Sequence, residues 1–231
     1  MSLNLFGLSF HIYGLVLGIA ILAAFQALTW LAGKKGVDKK IVEKLFWWVV
    51  VGGVVGARLY HVIDKWKEIY RLNPVSVFYL WNGGLGIWGA VIGGVSVATV
   101  WYLLIGRKAT KIRFLDLLDI VTFGAPLGQA IGRWGNFFNK EIIGKNGEPL
   151  FLYESILDLL LFFTLMWVTR RFGKPGVIAG IYLIGYGLIR FVLEPMRPEN
   201  IVWKIAGIPT ASLVSVVAAL AGVYLISQKR S

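Results

Sequence analysis

The sequence predicts an all-α, polytopic membrane protein of about seven transmembrane helices, with its N-terminus outside and its C-terminus in the cytoplasm. Three observations carry this. The 231 residues are 57% hydrophobic and only 16% charged, with a mean hydropathy of +0.71, well above an ordinary soluble domain. Apolar runs long enough to cross a hydrocarbon layer, roughly 20 residues each, recur along the chain. The Lys and Arg residues between those runs alternate in density from loop to loop.

The spans are expected at about 10–32, 45–63, 85–105, 116–134, 151–169, 177–194 and 209–227. Met1-Ser2-Leu3-Asn4 lacks the basic start of a secretory signal, so the first run is expected to be a permanent span. The first, third and fifth loops and the tail carry Lys34, Lys35, Lys39, Lys40, Lys44, Arg107, Lys108, Lys111, Arg113, Arg170, Arg171, Lys174, Lys229 and Arg230. The other three loops carry Lys65, Lys67, Arg71, Lys140, Lys145, Arg197 and Lys204. Fourteen against seven puts the first set in the cytoplasm. Trp47, Trp48, Tyr79, Trp81 and Trp167 fit an interfacial belt. No composition shift or repeat divides the chain, which reads as one integral membrane domain over 1–231.

The net charge of +12 belongs to topology and anionic lipid rather than nucleic acid. The chain has no cysteine, so a thiol in its chemistry must come from a substrate. Glycines spaced by four (Gly14/Gly18, Gly52/Gly56, Gly89/Gly93, Gly128/Gly132) read as close helix packing.

Charges inside the spans carry more. Arg58, Arg133 and Arg190 lie in or at the ends of apolar segments, as do Asp119, Glu154, Asp158 and Glu194. A charge at the bilayer centre costs about 2.5–3.5 kcal/mol even on lenient scales. Structural pairing is one reading, for Asp158 and Arg58 in particular. A polar cavity toward the outer leaflet is the other, since Arg58, Arg133, Glu154 and Glu194 fall at similar depth. Two clusters stand out. Gly132-Arg133-Trp134-Gly135-Asn136-Phe137-Phe138-Asn139-Lys140-Glu141-Ile142-Ile143-Gly144 joins a forked phosphate donor to amides and glycines. Tyr186, Arg190, Glu194 and Arg197, at offsets of four, four and three, form one helical stripe.

The run from Gly132 to Gly144 resembles the signature of the prolipoprotein diacylglyceryl transferases. So do Tyr13-Gly14, Gly56-Ala57-Arg58-Leu59-Tyr60, Gly83-Gly84-Leu85, Asp119, Leu152-Tyr153-Glu154 and the Tyr186/Arg190/Glu194/Arg197 stripe. The resemblance implies seven spans with an outward N-terminus in a bacterial cytoplasmic membrane, the active site toward the outer face. It implies transfer of a diacylglyceryl group from phosphatidylglycerol to the thiol of a prolipoprotein's lipobox cysteine, with glycerol phosphate released and no cofactor or metal. Arg133 and Arg190 are then the groups expected to stabilise the departing phosphate, with Tyr13 beside them. Arg58, Asn136, Asn139, Glu141, Gly144, Tyr186, Glu194 and Arg197 are expected to bind substrate. One departure matters. The histidine common in the family after the paired glycines is Trp88 here, which cannot take a proton. The thiol base stays open: His61 or His11, or none.

Two other classes fit less well. A transporter would show inverted repeats with broken helices, and other membrane hydrolases need a zinc motif, a Ser/His pair or an aspartate array. None is evident in the sequence.

Overall fold

A computed structural model describes residues 2–5, 8–80, 83–107, 112–171 and 173–228, the stretch up to residue 11 by backbone alone. Of the residues named above, Met1, Trp81, Lys108, Lys111, Lys229, Arg230 and the side chains of Ser2, Leu3, Asn4 and His11 lie outside the described set.

Among the described residues, seven helices are long and apolar enough to cross a membrane. They are α1 (Ile12–Lys34), α2 (Lys39–Asp64), α3 (Ile87–Trp101), α4 (Phe114–Phe138), α5 (Leu150–Arg171), α6 (Val177–Leu193) and α7 (Thr210–Ser227). A π turn over Tyr102–Gly106 extends α3, and a 3-10 turn over Glu194–Met196 extends α6. The described residues also form two short antiparallel strand pairs: β1 (Ser2–Leu5) with β2 (Leu8–His11), and β3 (Lys204–Ile205) with β4 (Ile208–Pro209). The all-α, polytopic architecture matches the sequence expectation.

Helix ends depart from hydropathy where capping decides them. The second helix starts at Lys39, not 45, because the Asp38 carboxylate accepts a hydrogen bond from the Lys40 N–H at 2.9 Å. That satisfies one of the free amides at the helix start, so the helix can begin in polar surroundings. The fourth runs to Phe138 instead of 134, which makes the first half of the Gly132–Gly144 run helical.

The chain forms two compact units, Gly36–Phe114 and the remainder. In the first, α2 and α3 meet through glycine. A Cβ on Gly56 would strike the Gly89 carbonyl, one on Gly89 the Gly56 carbonyl, and one on Gly93 the Gly52 carbonyl. The backbones are therefore in direct contact, the usual device where water supplies no hydrophobic drive between helices. Not every glycine pair serves this purpose: Gly14, Gly18 and Gly132 have open space where a Cβ would sit.

In the larger unit, Gly180 of α6 and Gly222 of α7 meet backbone to backbone in the same way. Trp30 stacks on Phe123 with ring centroids 5.5 Å apart, and Phe162 packs on Phe123 at 5.3 Å with its ring tilted by 50°. Asp119 of α4, fully buried, ties three segments together. It accepts from Lys35 Nζ at 2.8 Å and from the Gly176 and Ala179 amides at 2.9 Å each. Those amides open α6, where a carboxylate satisfies free N–H groups and faces the positive end of the helix dipole.

Candidate active site

The site forms where α4 ends, α5 begins and α6 ends. Glu154, in the first turns of α5, has a side chain only 1% exposed. Three arginines converge on it. Arg133 of α4 presents its Nε to Oε2. Arg190 of α6 donates from Nη1 to Oε1 at 2.6 Å, and Arg197, just past α6, from Nη2 to the same oxygen at 3.1 Å. Arg190 Nη2 also reaches Glu194 Oε2 at 2.6 Å, and Arg197 Nε lies 3.7 Å from that atom. Three guanidiniums against two carboxylates leave a surplus positive charge, held largely out of solvent.

Arg133 meets Glu154 through Nε as an ion pair, and its terminal Nη groups carry no hydrogen bond to any described residue. Its side chain is 19% exposed, so it presents an oriented fork of donors, the geometry that grips two oxygens of one phosphate.

Past Phe138, five residues beyond Arg133, the helix gives way to a tight loop. Asn136 Nδ2 and Asn139 Nδ2 donate to the two Glu141 oxygens at 3.0 and 3.3 Å, and the Glu141 amide returns to the Asn136 carbonyl at 2.8 Å. Lys140 and Ile142 hold φ of 56° and 59°. A left-handed conformation is uncommon for any residue with a Cβ and an outlier for a β-branched one; such positions cost of order 1–3 kcal/mol each and concentrate at functional sites. Gly144 closes the loop: a Cβ there would strike Glu148, whose carboxylate takes the Asn146 amide and side chain at 2.9 Å each. The Lys145 amide bonds the Met196 carbonyl at 2.8 Å, fastening the loop to the end of α6. Tyr13 of α1 lies on Gly135, where a Cβ would come within 2.8 Å of its ring.

The smaller unit has its own polar cluster. Arg58, 7% exposed, donates five hydrogen bonds to backbone carbonyls: Ser76 at 2.6 Å, Gly83 at 2.7 Å, Val77 at 2.8 Å, and Gly84 and Tyr79 at 3.1 Å. Its guanidinium organises the segment between α2 and α3. His61 Nδ1 shares a 2.9 Å hydrogen bond with the Tyr70 hydroxyl. Its ring packs on Gly84, where a Cβ would come within 2.7 Å of Cε1. Trp88, in the first turn of α3, is 37% exposed.

The sequence model of a family described as prolipoprotein diacylglyceryl transferase matches residues 1–228. The chain belongs to the prolipoprotein diacylglyceryl transferase family. It is 34% identical over 258 residues to a protein of Synechococcus elongatus named phosphatidylglycerol–prolipoprotein diacylglyceryl transferase, covering 97% of this chain and 86% of that one. Proteins of the same name from Finegoldia magna and Symbiobacterium thermophilum are 32% and 35% identical. The former alignment covers 97% of this chain and 93% of the relative, the latter 91% and 86%.

Within this transferase-family chain the structure brings Arg133, Arg190, Glu194 and Arg197 into one ionic cluster. Asn136, Asn139 and Glu141 form the adjoining loop, and Tyr13 lies against it. Tyr186 sits one turn below Arg190 and stacks on Tyr182 at 5.8 Å. Arg58 and His61 belong to the smaller unit and are described there. The sequence reading noticed Glu154 as an intramembrane charge but did not place it in the site. Its signal was an acid in an otherwise apolar span, within Leu152-Tyr153-Glu154.

Proposed function

We propose that this chain transfers the diacylglyceryl group of phosphatidylglycerol to the thiol of the lipobox cysteine in a prolipoprotein. Sulfur attacks the glyceryl carbon, the C–O bond to phosphate breaks, and the electron pair leaves with glycerol phosphate. The thiol proton is lost and a thioether results. The observation that carries the reading is Arg133, oriented through Nε by Glu154 with its Nη fork unfilled. A guanidinium that meets developing phosphate charge better than the diester lowers the barrier to C–O cleavage. Arg190, whose two Nη atoms each retain a second N–H, supports the same charge. Arg197, Asn136, Asn139, Glu141, Gly144, Tyr13, Tyr186 and Glu194 shape the head-group site, and Arg58 orders the segment before α3. No cofactor is needed for this chemistry.

The substrate thiol has a reference pKa of about 8.5, so a positive field raises its reactive fraction. His61 and His11 are the chain's two histidines, and the base is one of them or no histidine at all. Trp88→Phe should keep substantial activity, while His61→Ala or His11→Ala should lower it if either is the base. Wild-type rates in the double variant would exclude histidine.

The same reading puts the whole chain, 1–231, in a bacterial cytoplasmic membrane as one working domain. Its N-terminus is outside, its C-terminus inside and its site toward the outer leaflet, as the loop charges support. Single cysteines at Ser2 and Ser231 should then label from opposite sides of intact cells. The deciding test of function is detergent-solubilised protein with phosphatidylglycerol and a lipobox peptide. A diacylglyceryl mass gain on cysteine, with glycerol phosphate released, is expected. An unmodified peptide, with the protein folded, would refute the reading.

A further inference from the structure

Asp158 lies in α5 one helical turn farther into the span than Glu154. It is fully buried, and neither carboxyl oxygen has a hydrogen-bond partner among the described residues. Ser155, on the same helix, donates to the Ala130 carbonyl at 2.9 Å, and the Tyr182 hydroxyl is shared with Gln129 at 3.1 and 3.4 Å. Buried polar groups are nearly always satisfied, so a wholly unpartnered carboxyl at this depth calls for an explanation. A purely structural aspartate should look like Asp119, which has three donors within 2.9 Å.

Among the described residues, five charged or titratable groups act on Asp158. Glu154 lies on its own helix, Arg133 on α4, and Arg190, Tyr182 and Tyr186 on α6. Glu194 and Arg197 join the same cluster, so three guanidiniums meet two carboxylates and leave one positive charge uncompensated. An ionised Asp158 would balance it. So would an anionic phosphodiester on Arg133 and Arg190. Both together would leave an excess negative charge in a region of low dielectric, where it is poorly tolerated.

We infer that Asp158 exchanges a proton against lipid phosphate: it is ionised while the arginines are empty and protonated while a phosphodiester occupies them. The inference rests on the lipid-phosphate reading of the arginine cluster. One proton is taken from water as the lipid binds, and it returns to water when glycerol phosphate has left. Asp158 acts on the lipid through the arginines, as a positioning residue. Because the bound state holds the extra proton, affinity falls as pH rises, by up to about tenfold per pH unit.

Calorimetric titration of the full-length protein in detergent with short-chain phosphatidylglycerol, in two buffers of different ionisation enthalpy across roughly pH 6 to 9, counts the protons. The unvaried protein should take up about one proton per lipid within that window. Asp158→Asn should bind lipid with a flat pH profile and no uptake. No uptake by the unvaried protein, or undiminished uptake by the variant, would overturn the inference. Should the variant not fold, infrared difference spectra decide: lipid added to the unvaried protein should raise a protonated-carboxyl band, and its absence counts against Asp158. Failure of phosphatidylglycerol to bind at any pH is a distinct result, which refutes the lipid reading and the inference with it.

Discussion

Arg190 and Glu154 meet at 2.6 Å, Nη1 to Oε1, joining α6 to α5 at the centre of the ionic cluster. The other amino group of Arg190 holds Glu194 at the same distance, so one planar cation bridges two carboxylates. Lysine, a point charge on a flexible stem, cannot reproduce both contacts. Arg190→Lys should lower turnover by about tenfold or more, which is about 1.4 kcal/mol, with a smaller loss of lipid binding. Removing Glu194 should not rescue Arg190→Ala. Wild-type turnover in the lysine variant would assign Arg190 to ion pairing alone.

Glu154 gathers three cations, and its loss leaves them facing one another. Breaking a buried ion pair from one side typically costs about 3–5 kcal/mol. Glu154→Gln should therefore lower the unfolding midpoint in detergent and abolish transfer. An unchanged midpoint would mean that the arginines have other partners.

Asn136 is helical and its amide holds Glu141 at 3.0 Å. Asn136→Ala should leave insertion and thermal stability close to normal, since the contact is exposed, yet cut transfer at least tenfold, about 1.4 kcal/mol in the barrier. Normal transfer at normal expression would remove the loop from the head-group site.

Glu148 offers a pH test outside the spans. The Asn146 side chain and nearby backbone amides hold its carboxyl below the ordinary glutamate value. A depressed folded value means that its contribution is complete above the ordinary glutamate range. It is lost as the pH falls through the depressed value. Protection of the Asn146 amide, its exchange rate relative to the intrinsic rate at the same pH, should fall on acidification, and Glu148→Gln should show the lower protection at every pH. A pH-independent rate ratio between the two proteins would argue against the carboxylate.

Gly56 and Gly14 should respond oppositely to added bulk. A Cβ at Gly56 meets the Gly89 backbone, whereas Gly14 has nothing within 4 Å. Gly56→Val should cost about 1–3 kcal/mol through overpacking, and Gly14→Ala should be near neutral. Equal midpoints for the two variants would show that α2 and α3 can separate freely.

Span number and type were legible because each helix must satisfy its backbone internally over a fixed thickness. Helix ends were less so: Asp38 caps outside any apolar run, and hydropathy does not register a cap. Within the site, residues four apart on α6 were readable as a stripe. The partnership of Glu154 with Arg190 and Arg197 spans 36 and 43 residues, and no local period encodes it. The acceptors of Arg58 are backbone carbonyls, which every sequence has, so no residue pattern announces them. Lys35 counted as a loop charge, yet its ammonium reaches Asp119. The left-handed Ile142 had no signal at all, since β-branching argues against that conformation.

The order of the partners along the chain has a consequence for biogenesis. Synthesis delivers Arg133 before Glu154, and Arg190 and Arg197 only afterwards. The α4–α5 hairpin therefore enters the bilayer with its arginine already matched by an acid, as a nearly neutral pair, avoiding part of the insertion penalty of a lone charge. The two later arginines arrive as α6 is made and find an acceptor in place. A ribosome-bound chain stalled between α5 and α6 should already hold Arg133 against Glu154, half assembled and awaiting the cations that complete it.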